Sequence, residues 1–270
     1  MHAPAVQPTS PAALAVAPGG GLYIVDGNRV LERLPSGRFI VFASGLKSPG
    51  GVAVHDGTLY VAEADRVAGI SHGTVRTVFR SPSPTAVTFD PKGRLVVTSS
   101  EWGEVLRGTT IIAGRRAGPQ GVVGIGRSAT RASTDGADGL AYDRAGNLFL
   151  SGINTKTLLM VDTHGRTRLP IGMRGFYPRG AGGIVPGPGG TVYAMETQDV
   201  DTLGPHSIRR VFTFTNRRFD GIRNFLPDGI AVARDGTIYL DTALGNGWTN
   251  RSAIVSLRDG KLRVLWRGPS

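Results

Sequence analysis

The sequence predicts an all-β protein, a six-bladed β-propeller with four antiparallel strands per blade, and three observations support this fold. A hairpin-like unit recurs six times along the chain, a second hairpin follows each unit, and 40 of the 270 residues are Gly. Gly adopts positive φ without strain, so a large excess suits a chain with many tight turns. Six units give a period of about 45 residues, which is typical of propeller blades.

Each unit opens with a short apolar strand, a turn that contains Gly and a second β-rich strand. The six openings span residues 14–26, 52–63, 87–97, 140–150, 184–194 and 230–240. Short apolar runs joined by a Gly-centred turn are typical of β-hairpins. The second hairpin of a unit turns at sequences such as Ser36-Gly37 and Arg258-Asp259-Gly260. Each unit therefore contains four strands.

The way the ring closes follows from the order of the strands. A four-stranded sheet cannot bury both of its faces alone, but six sheets around an axis bury them against one another. The first unit begins with its innermost strand, and the sixth supplies its own last strand, 262–266. We therefore expect no strand exchange between the chain ends, a tail over residues 1–10 and a single propeller domain over residues 11–270.

Several blade sequences resemble known propeller repeats. Residues 22–30, Leu-Tyr-Ile-Val-Asp-Gly-Asn-Arg-Val, resemble the NHL repeat, and residues 59–67 repeat the pattern with Glu63, Asp65, Arg66 and Val67. Pro227-Asp228-Gly229, followed by Asp235-Gly236, resembles a blade start of the SMP-30/gluconolactonase-like superfamily. The resemblance covers nearly the whole chain and implies a six-bladed propeller. It implies less about activity, because propellers carry many unrelated functions.

Composition excludes several classes of site. The chain has no Cys, so it has no disulfide, no thiolate zinc site and no Cys nucleophile. It has no run of about 18 apolar residues, so we expect no membrane-spanning helix. The G-x-G-x-x-A motif at 124–129 lacks a βαβ context, so we expect no nucleotide cofactor.

The net charge of +11 has two interpretations. Only four basic residues are Lys, and the Arg residues are spread along the chain, which indicates a compositional bias. A basic surface that binds nucleic acid is the alternative. Residues 1–10 lack a basic start and an apolar segment, so the sequence as written predicts a cytoplasmic protein, or a secreted one if a leader has been removed.

Strand order divides the loops between two ends of the propeller. The turns between strands one and two, and between three and four, lie at one end, the turn end. The strand-start end, where the first strands begin, holds the loops between strands two and three and the connections between blades. We assign the long segments to the strand-start end: 115–137, 171–182, 197–207, 216–226 and 242–252. Long loops at one end of a rigid scaffold indicate a functional surface, here a small-molecule site at the mouth of the central channel.

Two carboxylates are placed near that mouth. Asp138 and Asp228 both precede Gly at the start of an innermost strand. The resemblance to SMP-30-like enzymes implies that such carboxylates hold a divalent cation, which polarises a lactone or ester carbonyl. The cation would be Ca, Zn or Mn, with Asp228, Asp138 and Glu196 as ligands. Ala12-Ala13 and Gly182-Gly183 stand where further polar ligands would be expected.

A second set of polar residues lies at the ends of the second strands. It comprises Asp26, Glu63, Ser99, Ser151, Glu196 and Asp241. One interpretation is a hydrogen-bond acceptor that stabilises each blade in the same way. The other is an acidic ring that binds a cation or acts as an acid or base with a raised pKa. Glu196 is the best candidate, because a segment with Asp199, Asp201 and His206 follows it, and His206 is the one His assigned to the strand-start end.

The sequence therefore predicts a hydrolase of a lactone or ester, or a lyase, acting on a small metabolite. Asp228, Glu196 and His206 are the candidate catalytic residues. The candidate ligand contacts are Asp138, Asn246, Trp248, Asn250, Tyr177, Arg179, Glu63 and Asp241. The alternative is a non-catalytic NHL-type module that binds protein, peptide or RNA through the same end. We expect a small-molecule partner, allow for a protein or peptide, and expect no membrane partner.

Overall fold

The structure, a computed structural model, describes most of the chain. The described ranges are 6–101, 103–115, 125–134, 137–152, 157–169, 183–196, 199–214, 224–245 and 250–269. The side chains of residues 152, 157, 196, 224–228, 243–245 and 250–251 are outside this description.

Six antiparallel sheets of four consecutive strands follow one another along the chain. Blade one contains β1 (Pro11–Val16), β2 (Leu22–Asp26), β3 (Arg29–Arg33) and β4 (Phe39–Ser44). Blade two contains β5 (Val52–His55), β6 (Thr58–Ala62), β7 (Arg66–Ser71) and β8 (Thr74–Arg80). Blade three contains β9 (Pro84–Phe89), β10 (Leu95–Ser99), β11 (Glu104–Arg107) and β12 (Thr110–Gly114).

The second half of the chain repeats this arrangement. Blade four contains β13 (Ala137–Tyr142), β14 (Leu148–Gly152), β15 (Thr157–Val161) and β16 (Thr167–Arg168). Blade five contains β17 (Ile184–Pro186), β18 (Val192–Glu196), β19 (Asp199–Gly204) and β20 (Ser207–Thr213). Blade six contains β21 (Asn224–Val232), β22 (Ile238–Gly245), β23 (Asn250–Arg258) and β24 (Lys261–Arg267).

The predicted fold class is confirmed. The first strands of successive blades contact one another around the ring, and β1 contacts β21, so the first strand of every blade is innermost. Blade one consists of β1–β4 and blade six of β21–β24, so the chain ends exchange no strand, as predicted.

Apolar packing between blades forms the core. Each of the six seams between neighbouring blades contains one buried apolar cluster. Side chains alternate between the two faces of a strand, so one strand serves two seams. In β14, Leu148 and Leu150 pack in the seam with blade three, whereas Phe149 packs in the seam with blade five.

The seam between blades six and one closes the ring without shared strands. Leu14 and Ile24 of blade one pack there against Ala231, Ile254 and Trp266 of blade six. Ile24 and Ile254 are fully buried. Closure therefore depends on side-chain burial at this seam.

The N-terminal segment differs from the expected tail. The backbone N–H groups of Thr9 and Ser10 donate hydrogen bonds to Asp26 Oδ1, at 2.7 and 2.5 Å. Val6 packs against the cluster that closes the ring. Residues 6–10 are thus held on blade one.

Gly residues serve the turns, as the composition predicts. Asp56-Gly57, His72-Gly73 and Asp259-Gly260 each have positive φ at both residues. Two such residues define the tight hairpin turn that matches the twist of the flanking strands. Helical structure in the described ranges consists of two three-residue 3-10 turns, Ala129–Arg131 and Pro188–Gly190, and neither has the length to cross a membrane.

We predict that Ile24→Ala destabilises the propeller by about 2–5 kcal/mol, because it leaves a cavity in the seam that closes the ring. The matched control is Ile111→Ala, since Ile111 lies on the outer strand β12 with 39% of its surface exposed. Chemical denaturation of both variants and the wild-type protein measures the difference. Equal losses of stability in the two variants would contradict a seam-dependent ring.

Candidate functional site

The first strands enclose a central channel of about 230 Å³. Each blade contributes to its wall, for example through Ala13, Val52, Ala86, Leu140, Ile184 and Ile230. Thr88 has the one polar side chain in the described lining. Polar chemistry therefore has to be provided where the channel opens.

A β-bulge marks the beginning of the first strand in several blades. In blade four Asp138 and Gly139 together oppose Ser151, and in blade six Asp228 and Gly229 together oppose Asp241. A bulge places two residues of one strand opposite a single residue of its partner. Asp138 and Asp228 therefore occupy equivalent backbone positions at the strand-start end.

The Asp138 carboxyl is buried and incompletely bonded. Its residue is 6% exposed, and Oδ2 has no hydrogen-bond partner within the described part of the chain. Burial raises the pKa of Asp138 from 3.8 to about 7, because the charged form loses its hydration. This group changes its charge near neutral pH.

Two acids of the second strands are, by contrast, bonded to the chain itself. Asp26 Oδ1 accepts the N–H groups of Thr9 and Ser10, and Oδ2 accepts two hydrogen bonds from Arg29, at 2.9 Å from Nε and 2.7 Å from Nη2. Burial acts to raise the pKa of Asp26, but these donors outweigh it and hold the pKa below its ordinary value.

Glu63 has the same arrangement in blade two. The Lys47 N–H donates to Oε2 at 2.9 Å, and Arg66 Nε donates to Oε1 at 3.2 Å. Both carboxylates join the end of a second strand to the segment that leads into their own blade. These contacts favour the blade-stabilising interpretation for Asp26 and Glu63.

Asp241 holds the bulge of blade six. It is 1% exposed and accepts a hydrogen bond from the Gly229 N–H. A Cβ at residue 229 would lie 2.7 Å from Asp241 Oδ2, so the carboxylate requires Gly at this position. In blade four a Cβ at residue 139 would similarly clash with Ser151 Oγ.

The strand register shows that the second set of polar residues does not occupy one equivalent position in all blades. Asp241 pairs with Gly229 and Ser151 with Gly139, which is the position that Val25 takes opposite Ala13. Asp241 and Ser151 thus stand one residue before the position of Asp26, where blades four and six have Gly152 and Thr242. Aligning the strands on their first apolar residue, Leu-Tyr-Ile-Val-Asp with Leu-Phe-Leu-Ser-Gly, would have revealed this offset.

The assignment of His206 to the strand-start end is wrong. The sequence predicts a long loop over 197–207, but Asp199–Gly204 form β19 and His206 lies in the tight turn to β20. A six-residue strand is roughly 20 Å long, so His206 is at the turn end. Asp199 and Asp201 lie in β19 and pair with Arg210, at 2.9 and 3.1 Å.

Several other candidates lie wholly or partly outside the described residues. Tyr177, Arg179, Asn246 and Trp248 lie outside the described residues. The backbone of Asp228, Glu196 and Asn250 is described, in β21, β18 and β23, but their side chains are not.

The described residues do not by themselves form a metal site. Hard divalent cations require several oxygen ligands. Asp138 Oδ2 is an available buried oxygen, but no group of three His, Asp or Glu residues close enough to hold a metal occurs in the described ranges.

Comparisons with known proteins support the fold. No family model and no curated protein matches the sequence. A streptogramin B lyase structure is similar, with 12% identity, a TM-score of 0.63 and coverage of 96% of this chain and 83% of that one. A structure assigned provisionally as a gluconolactonase has 16% identity, a TM-score of 0.62 and coverage of 96% and 91%.

A third similar structure is a catalytically inactive His-to-Ala variant of virginiamycin B lyase from Staphylococcus aureus with quinupristin. It has 17% identity, a TM-score of 0.58 and coverage of 86% of this chain and 77% of that one. At these identities the likeness establishes the fold, and it confirms the predicted resemblance to gluconolactonase-like propellers at that level.

We predict that Asp138 makes the protein less stable as the pH rises. Its folded pKa lies above the unfolded value, so the folded state retains a proton that the unfolded state loses between about pH 4 and pH 7. The free energy of unfolding should fall across this window, at up to about 1.4 kcal/mol per pH unit, and level off above it.

The measurement is thermal or chemical unfolding of the wild type and Asp138→Asn from pH 5 to pH 8. The free energy of unfolding of Asp138→Asn, relative to that of the wild type, should increase with pH. The control is Asp56→Asn, which makes the same chemical change at a side chain that is 90% exposed, with a positive φ that Asn also tolerates. A constant difference between Asp138→Asn and the wild type would show that the carboxyl does not titrate in this range.

Proposed function

We propose that this propeller hydrolyses a small ester or lactone, with Asp138 as the general base at the strand-start end. The observation that carries the proposal is the buried Asp138 carboxyl, whose Oδ2 has no hydrogen-bond partner among the residues that the structure describes. Asp26 and Glu63 use their carboxylates to hold the blade, whereas Asp138 Oδ2 bonds to no described residue.

Such a carboxyl costs stability, because a buried polar group without a partner loses its hydration and gains nothing in return. Buried groups of this kind with a shifted pKa are typical of functional sites. A pKa near 7 suits a general base that works near neutral pH. These properties support a role in proton transfer.

The proposed reaction uses one water molecule. Ionised Asp138 takes a proton from the water, and the water oxygen forms a bond to the carbonyl carbon of the ester. The bond between that carbon and the alkoxy oxygen breaks, and Asp138 returns the proton to the departing oxygen. An open ester gives an acid and an alcohol, and a lactone gives one hydroxy acid.

Hydrolysis is favoured over a lyase reaction by the positions of the His residues. The virginiamycin B lyase described above is inactive as a His-to-Ala variant. In this chain, every His that the structure describes lies at the turn end, at positions 55, 72, 164 and 206. None of them is placed to act beside Asp138.

We predict that Asp138→Asn lowers kcat by at least about 100-fold on glucono-1,5-lactone or phenyl acetate, because the amide cannot take a proton from water. In the wild type, kcat/KM should rise with pH through about 7. The rate of hydrolysis is measured from the acid that is released, at pH values from 5 to 9. Asp56→Asn should retain wild-type rates. Equal rates in the wild type and Asp138→Asn would refute the assignment, and tight binding without turnover would favour the non-catalytic module.

A divalent cation held by Asp228, Asp138 and Glu196 remains a proposal from the superfamily resemblance. When bound, it would polarise the ester carbonyl. We expect Ca²⁺, Zn²⁺ or Mn²⁺ to raise the Tm of the wild type, and Asp228→Ala and Asp138→Asn to remove the rise. Asp26→Asn is the control, because that carboxylate is bonded to the chain. An unchanged Tm with all three metals would exclude the cation.

A further inference from the structure

Ser151 carries a second unpartnered polar group beside Asp138. It is 2% exposed, and its Oγ has no hydrogen-bond partner among the described residues. The strand register places Ser151 directly opposite the bulge formed by Asp138 and Gly139. Two buried polar atoms of one bulge therefore lack partners, Asp138 Oδ2 on β13 and Ser151 Oγ on β14.

In blades three and six, side chains at these positions form hydrogen bonds. In blade three the bulge residue is Thr85, and the residue opposite it is Thr98. Their hydroxyl groups are 2.7 Å apart, and Thr98 Oγ1 also accepts the Ala86 N–H at 2.8 Å. In blade six the opposing residue, Asp241, accepts the Gly229 N–H.

Blade three therefore establishes that side chains at these two positions can reach each other. In blade four neither Asp138 Oδ2 nor Ser151 Oγ has a hydrogen-bond partner among the described residues, although both are buried. Buried polar groups that the protein leaves unpaired are commonly bridged by an ordered water. The missing side chain of Gly139 leaves the space that Ser151 Oγ occupies, because a Cβ at residue 139 would clash with that oxygen.

We propose that Ser151 and Asp138 hold one water molecule between them and that this water is the nucleophile of the reaction. The water donates one hydrogen bond to Asp138 Oδ2 and one to Ser151 Oγ, which leaves a lone pair for the carbonyl carbon. Proton transfer to Asp138 then follows as described above. Ser151 is a positioning residue, and this role rests on the proposed hydrolase function.

The test is Ser151→Ala, compared with Thr98→Val in blade three. Ser151→Ala should lower kcat by about 10- to 100-fold with little change in KM, because a misplaced nucleophile slows the chemical step. Its Tm should equal or exceed that of the wild type, because the lost hydroxyl has no partner in the described part of the chain. Thr98→Val should show the opposite pattern, a lower Tm with unchanged kcat, since it removes bonds that hold blade three. Ser151→Thr, which keeps a hydroxyl, should restore most of the activity.

A second measurement separates this proposal from the proposed function. A high-resolution crystal structure of the ligand-free wild type should show an ordered water within hydrogen-bond distance of both atoms. A water in this place together with an inactive wild type would refute the hydrolase and the nucleophilic role while leaving the water site. The absence of a water, a lower Tm in Ser151→Ala or an unchanged kcat in that variant would overturn the role of Ser151.

Discussion

The packing of apolar side chains between neighbouring blades is the interaction on which the rest of this structure depends. Each sheet is too small to bury its own faces. The second strand of every blade therefore directs alternate side chains into two different seams. β14 does this with Leu148 and Leu150 on one side and Phe149 on the other. The ring has no strand shared between its ends, so the seam around Ile24 and Ile254 is a sixth copy of the same contact.

Close packing around the axis also determines what stands at the strand-start end. The first strands converge there, and the residue after each bulge has to be small: Ala13, Ala86, Gly139 and Gly229. In blades three and six the space that the small residue leaves is used by a polar side chain from the second strand, Thr98 or Asp241, whereas blade one places Val25 there. The small residue thus allows a polar group to lie at the strand-start end, next to an apolar channel. The candidate site in blade four uses the same two positions, with Asp138 in the bulge and Ser151 opposite it.

The sequence predicts the blades well because each blade meets the same requirement with the same pattern of apolar residues and Gly turns. It also identifies Asp138 and Asp228, because an Asp-Gly pair before an apolar strand recurs in two units. It fails for His206, because strand β19 contains Asp199 and Asp201 and is too polar to be recognised as a strand. It misplaces Ser151 by one residue, because side-chain direction alternates at every residue and the bulge shifts the register. Whether a given hydroxyl or carboxyl has a partner depends on neighbouring strands, so this information requires the structure.

Polar side chains at comparable positions of the blades differ in whether they have partners within the described residues. Where a polar side chain serves the fold, its bonds are made within the chain, as at Asp26, Glu63 and Thr98. Blade four departs from this rule at Asp138 and Ser151 together, although it packs in its two seams as the other blades do. Local departures from otherwise consistent structure are characteristic of functional sites, because selection for stability alone would remove them. Replacing both residues with apolar ones would remove no hydrogen bond that Asp138 Oδ2 or Ser151 Oγ makes to the described part of the chain, and this contrast with Asp26, Glu63 and Thr98 is what supports the proposed site.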